Sequence, residues 1–475
     1  MESFTRRDLF AGAAGLLIAR APVRDVLARL ATDGNVQRFV SRADLKPPAI
    51  TVLQRAHGTA QGLVFVAPSS GPGQRGAMVF DDAGALVWFH PVADKVVTDF
   101  KVGLYHGKPV LTWWEGKVVH GLADGEWVVL DSSYRELARF PAANGRHGDL
   151  HEFVITPHNT ALVTSNEVVT GSLTSVGGTR FGQVVGGVVQ ELELPSGRLI
   201  WEWRSLEHVA VDETEIKARP GPRFDYFHIN SIDVSADGNL LVSARNTWAA
   251  YKVSRRTGQI LWRLGGKRSD FTFGDGARFE WQHDVREHPR GLVSVFDNAA
   301  APKEEPQSRA LLLALDTKRM HASLEHAYTH RPEPVLSHFL GDAQVLGNGN
   351  VFVGWGAAPY LTEFTRSGAI AFDARLPRGG QSYRAFRFPW VGHPVDRPAL
   401  AARAGILYAS WNGATEVASW QLLQGASVSD LQTAPPVQRT GFETVLTPAA
   451  RTRNVAVVAL DRAGASLGRS ATVAL

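Results

Sequence analysis

The sequence predicts an all-β protein, a six-bladed β-propeller followed by a small immunoglobulin- or fibronectin-III-like β-sandwich. Three observations predict it. From residue 49 onward almost every segment is short, rich in β-branched and aromatic residues, and punctuated by Gly, Asp or Pro. A first motif recurs: "DAGALVWFH" (82–90), "PSGRLIWEW" (195–203) and "RTGQILWRL" (256–264) each place Trp four residues after Gly, with a degenerate "RSGAIAFDA" at 366–374. A second precedes each copy: "HEFVITPHNTALVTSN" (151–166), "NSIDVSADGNLLVSAR" (230–245), "HDVREHPRGLVSVFDN" (283–298) and "GDAQVLGNGNVFVGWG" (341–356), with "DFKVGLYHGKPVLTWW" (99–114) and "AQGLVFVAP" as weaker relatives. Each unit reads as strand, tight turn, strand, longer loop and two more strands. Repetition at roughly 50–80 residues with four strands per unit is a propeller signature.

Taken in order, residues 1–48 form a leader and lead-in. "SFTRRDLFAGAAGLLIARAP" joins Arg6 and Arg7 to a short apolar stretch and a small-residue exit, the pattern of a twin-arginine export signal. A periplasmic or extracellular location is therefore expected. The following "VRDVLARLATDGNVQRFV" is compatible with a helix. Residues 49–392 hold the six units, and "QSYRAFRFPW" is expected to close the ring by pairing with an N-terminal strand. Residues 393–475, with "GILYASWNGATEVASWQLLQG" and "RNVAVVALDRAG", give the sandwich, with Trp411 expected inward.

Composition narrows the function. The chain of 475 residues has a formal net charge of +4, with basic residues scattered rather than gathered in a stripe, which argues against nucleic acid. No apolar run reaches the roughly 18 residues of a membrane helix. With no cysteine, disulfides, thiolate catalysis and Cys-based zinc sites are excluded.

In an antiparallel hairpin, residues i and i+15 of the second motif come to the same end of a blade. That pairs His151 with Asn166, Asn230 with Arg245, and His283 with Asn298. His228 lies two residues before Asn230, where the other hairpins have Asp149 and Trp281. Innermost strands converge on the propeller's channel, so three histidines, an arginine and several amides are expected around one mouth. Blades 2 and 6 place Trp114 and Gly356, beside Trp355, at the matching position, and these indoles are expected to wall an aromatic substrate. Neutral imidazole serves as metal ligand, base or nucleophile. A permanent cation at Arg245 disfavours a metal, whereas an arginine fork suits a tetrahedral oxyanion such as phosphate or sulfate.

At these residues the chain resembles the PAPS-independent aryl sulfotransferases, which are six-bladed propellers. "FHINSIDVSADGNLLVSAR", "WQHDVREHPRGLVSVFDN" and "DLHEF" carry the resemblance, over roughly residues 49–390. It implies that a histidine of a Gln-His pair, here His283, is sulfated by an aryl sulfate and passes the group to a phenol. It also implies that His151, His228, Asn230 and Arg245 hold the sulfuryl oxygens, and that neither metal nor other cofactor is required. The chain lacks the N-terminal sandwich and cysteine pair of the better-known members. A ligand-binding propeller without turnover, and a metal-dependent hydrolase or lyase using the three histidines, are the competing readings.

Overall fold

A computed structural model describes residues 34–475 apart from residues 120 and 220. The twin-arginine segment, including Arg6 and Arg7, lies outside the described residues. Of the stretch compatible with a helix, residues 23–33 lie outside the described residues and residues 34–40 are not helical. Residues 34–48 are irregular, with Val36 bridging Pro48 and Leu45 buried in the core between blades 6 and 1.

Six blades follow, each built on four antiparallel strands. Thr51–Gln54 adds a fifth strand to blade 6, and Phe224–Asp225 and Thr272–Phe273 add short parallel strands to blades 3 and 5. Their innermost strands are Gln381–Phe388 (blade 1), Val96–Tyr105 (blade 2), His147–Ile155 (blade 3), Ile229–Val234 (blade 4), His283–His288 (blade 5) and Asp342–Val345 (blade 6), each touching the next round the channel. Blade 1 is composite. Its innermost strand comes from the end of the propeller and pairs antiparallel with Leu63–Ser70, so "QSYRAFRFPW" closes the ring as expected. The Gly-x-x-x-Trp repeats form outermost strands. Gly84 and Gly258, at φ +76° and +74°, make the left-handed turns that a side chain would strain.

The wedge between every pair of neighbouring blades holds its own apolar core, six in all. Trp114 and Trp355 belong to these wedges. Both are fully buried, the first donating to Gly148 O (3.1 Å) and the second to Thr362 Oγ1 (3.0 Å). Neither walls the mouth, contrary to the sequence expectation. A side chain that fills an interblade wedge is held there by packing, and in blade 2 the strand Lys108–Val119 runs on past Trp114 instead of ending at the mouth.

Along the axis, fully buried Arg384 of blade 1 pairs with Asp99 of blade 2 (2.7 Å) and Glu152 of blade 3 (3.1 Å). Arg286 of blade 5 bridges Glu152 and Asp284. Opposite charges thus tie four blades at the hub, and the arginines hold the Glu152 carboxyl far below its usual range against the opposing effect of burial.

Beyond the ring, a sheet of Ala399–Arg403, Ile406–Ser410 and Glu443–Leu446 faces one built on Ser419–Gly425, Asn454–Leu460 and Ser466–Arg469. Leu407, Leu446, Trp420 and Val457 fill the space between, making a sandwich. Its central tryptophan is Trp420; Trp411, expected inward, is only half-buried and donates to Asp396 O. The sandwich is pinned to the propeller where Asn412 exchanges both amide bonds with the Phe89 backbone and Tyr134 donates to Gly413 O (2.8 Å).

Candidate active site

The hairpins bring the starts of innermost strands and the ends of their partners to one mouth, but not in simple register. Bulges interrupt the ladder in blades 3, 4 and 5, so Asn166 faces His147 rather than His151, Ile229 faces Ala244, and His283 faces Phe296. The expected direct i, i+15 pairs are therefore displaced. Asn230 is itself the extra residue between Ile229 and Ser231. Bulges re-aim side chains where a plain strand would not.

His283 is buried, and its Nδ1 lies 2.7 Å from Asn298 Oδ1. The Asn298 amide donates to Ser337 O and Leu340 O (2.9 Å each), which fixes its oxygen as the acceptor. His283 therefore carries its proton on Nδ1, and Nε2 keeps a lone pair with no partner among the described residues. Burial, reinforced by the Arg245 charge, pushes the His283 pKa well below the ordinary imidazole value of 6.5. The ring is neutral at physiological pH.

The other two histidines are held differently. His151 Nδ1 meets Asp149 Oδ2 at 2.6 Å, and His228 Nδ1 meets Asp225 Oδ2 at 2.6 Å. Their rings lie edge to face with centroids 5.0 Å apart, and His151 stands likewise against Tyr383 at 5.6 Å. Each carboxylate turns Nε2 away from itself. His228 is left-handed at φ +56°, a conformation kept at a cost of about 1–3 kcal/mol only where surroundings enforce it.

Arg245, on the turn after the second strand of blade 4, has no carboxylate partner within salt-bridge distance among the described residues. Its Nη1 donates to Asn246 Oδ1 (2.9 Å), and its guanidinium lies 4.6 Å from the centre of the Trp281 ring. Burial pushes its pKa down to about 10, so it stays cationic at neutral pH. The cation is held by an aromatic face and left unneutralised, an arrangement suited to an incoming anion. His228 and Arg245 line a cleft of about 790 Å³ together with Trp248 and Trp281.

The structure thus gathers His151, His228, His283 and Arg245, of which His228 and Arg245 line the cleft, with Asn298 orienting His283. Asn166 donates to Asp149 Oδ1 (3.0 Å) and supports His151 indirectly. Asn230 donates to the Gln282 carbonyl (2.7 Å), tying blade 4 to the peptide that carries His283. Among the described residues no cluster of His, Asp or Glu is arranged to hold a metal ion. Sequence reasoning missed Asp225, Tyr383 and Trp248, and noted Asp149 only as a matched position. Short Asp-to-His spacings, "DLH" and "DYFH", were the available signal for the two carboxylates.

Among solved structures, the fold is similar to a protein of unknown function from Bacteroides caccae (14% identity, 68% of this chain and 98% of that one, TM-score 0.43). It is also similar to the periplasmic gluconolactonase PpgL of Pseudomonas aeruginosa (11%, 87% and 96%, TM-score 0.37) and to virginiamycin B lyase of Staphylococcus aureus (7%, 77% and 97%, TM-score 0.35). At such scores these likenesses carry no functional weight. No curated protein matches the sequence. The arylsulfotransferase (ASST) family model matches residues 101–376, more than half of the chain and all of the histidine mouth. The chain belongs to the arylsulfotransferase family.

Proposed function

We propose that the protein moves a sulfuryl group from an aryl sulfate to a phenol in two steps through a sulfated His283. One observation carries the reading: His283 keeps Nδ1–H against the neutral Asn298 amide, leaving the Nε2 lone pair free beside the unpaired Arg245 cation. In the first step that lone pair forms an N–S bond as the S–O bond to the aryl group breaks. The departing phenolate takes the Nε2 proton of an imidazolium held by its aspartate, His228 or His151, which is left neutral with Nδ1–H toward the carboxylate. In the second step the acceptor phenol attacks sulfur and returns its proton to the same nitrogen, while the S–N bond breaks and His283 is restored.

The Asn298 partner suits both steps. An amide oxygen cannot take the Nδ1 proton, so the sulfated ring stays cationic and its S–N bond stays easy to break. Arg245 faces the oxygens that gain charge, a role worth about 10²–10³ in rate per well-placed donor. The aspartates hold the tautomer of the histidines that exchange protons, as a carboxylate does in a catalytic triad.

The test supplies a chromogenic aryl sulfate without acceptor. A burst of phenol with one sulfuryl group added to a peptide containing His283 is expected, and His283→Asn should abolish both. Absence of any turnover in the intact protein would favour a ligand-binding propeller instead. We also infer export through the twin-arginine route, supported by Arg6 and Arg7; replacing both by Lys should leave precursor in the cytoplasm, and unchanged export would refute it.

A further inference from the structure

Three N–H donors that share the cleft with His228 are buried without an acceptor among the described residues: Arg245 Nε, Trp248 Nε1 and Trp281 Nε1. Stranding a buried donor costs about 1–3 kcal/mol, and folded proteins rarely tolerate it without cause. The two indoles pack edge to face with centroids 5.2 Å apart, and Arg245 lies over the Trp281 ring. Both tryptophans are left-handed, at φ +52° and +58°, where a bulky residue is strained. Trp127 and Trp420 also lack an indole partner, but they sit in the cores of a wedge and of the sandwich and are not among the left-handed residues. Among the described residues, left-handed backbone and a stranded side-chain donor coincide only on the wall of this cleft.

We propose that Trp248 and Trp281 bind the sulfate ester directly, their indole N–H groups joining Arg245 in donating to its oxygens. The inference rests on the sulfuryl-transfer reading and adds two residues to it. An indole nitrogen only donates, and a sulfate ester only accepts, so the match needs no proton exchange. Trp281 has a second task, because its face holds the guanidinium where a carboxylate would have cancelled the charge that the ester needs. The left-handed backbone at both residues sets the two indoles against each other and beside Arg245.

Trp248→Phe and Trp281→Phe keep an aromatic ring and delete the N–H. Each should lower kcat/KM for 4-nitrophenyl sulfate by about 10–100-fold, the range of a hydrogen bond to a charged group. The KM of the phenol acceptor at saturating donor should not change, and melting temperature should hold or rise because a stranded donor has been removed. A variant that keeps its transfer rate, or loses it in step with melting temperature, would overturn the proposal in favour of packing. Thermal protection by inorganic sulfate separates this from the transfer reading. Protection of the native protein that the Phe variants lose would uphold the anion site even if no aryl sulfate were turned over. No protection of the native protein would overturn the site.

Discussion

His283 shares its Nδ1 proton with an amide, Asn298, at 2.7 Å, whereas its neighbours His151 and His228 share theirs with carboxylates at 2.6 Å. The difference sets which imidazole attacks and which ones exchange protons. With its pKa well below 6.5, His283 stays neutral, so the acid limb of kcat/KM should lie below the ordinary imidazole range. Stability follows the same sign. Below about pH 6.5 the unfolded chain binds a proton at this residue that the folded chain refuses, so His283 weakens the fold as pH falls through that value. Asn298→Asp puts a carboxylate against Nδ1–H, favours the imidazolium, and should move the acid limb to higher pH. An unmoved limb would mean that another group sets it.

Arg245→Lys keeps the charge but loses the planar fork and the stacking on Trp281. The burst rate should fall about 10²–10³-fold, the scale of one oxyanion-stabilising donor, while the melting temperature changes little because no carboxylate partner is lost. A rate within threefold of the native protein would remove Arg245 from the transition state.

Arg384 tests the hub. Its guanidinium serves Asp99, Glu152 and the Asn230 carbonyl at once, and it is fully buried. Arg384→Met leaves Asp99 with Lys101 and Glu152 with Lys101 and Arg286 but removes the cation they share, and should cost up to about 3–5 kcal/mol, read by denaturant unfolding. Because Asn230 also anchors the Gln282 carbonyl, the loss should reach His283, and kcat should fall in the fraction that remains folded. A variant of native stability would show that the buried charges reorganise freely.

The propeller was legible because its determinants are local and repeated: four blades carry the same turn glycine and six imperfect copies carry the same apolar alternation, so they reinforce one another. His151, His228, His283 and Arg245 were legible for the same reason, as strand starts and ends of homologous hairpins. What misled was the assumption of an unbroken ladder. The bulge at Asn230 and the longer one spanning 149–152 both present groups to Arg384, the Asn230 carbonyl and the Glu152 carboxylate, contacts between residues far apart in sequence. Trp114 matched by position and Trp355 stood beside the matched Gly356, but both serve the wedges, because a side chain's face follows from local register and not from its offset in a repeat. Trp248, one residue beyond the turn Arg245–Thr247, had no counterpart in the motif and so no signal at all.

The two aspartates give the sharpest test of proton exchange. Asp225→Asn and Asp149→Asn keep a side chain that can meet Nδ1, but an amide can also donate and so no longer enforces one tautomer, nor does it stabilise an imidazolium as it forms. Whichever histidine protonates the departing phenolate should reveal itself through the leaving group. For a 4-nitrophenolate, stable enough to leave unaided, the loss should be small. For an alkyl-substituted phenolate, a far stronger base, it should approach the roughly 10²–10⁴-fold that general acid catalysis supplies. His228 lines the cleft and is the more exposed of the pair, its side chain 33% accessible against 10% for His151, so Asp225→Asn should show the steeper dependence on leaving-group basicity. A steeper dependence in Asp149→Asn would assign the proton to His151. Equal, leaving-group-independent losses in both would assign the carboxylates to holding the rings in place and the proton to solvent.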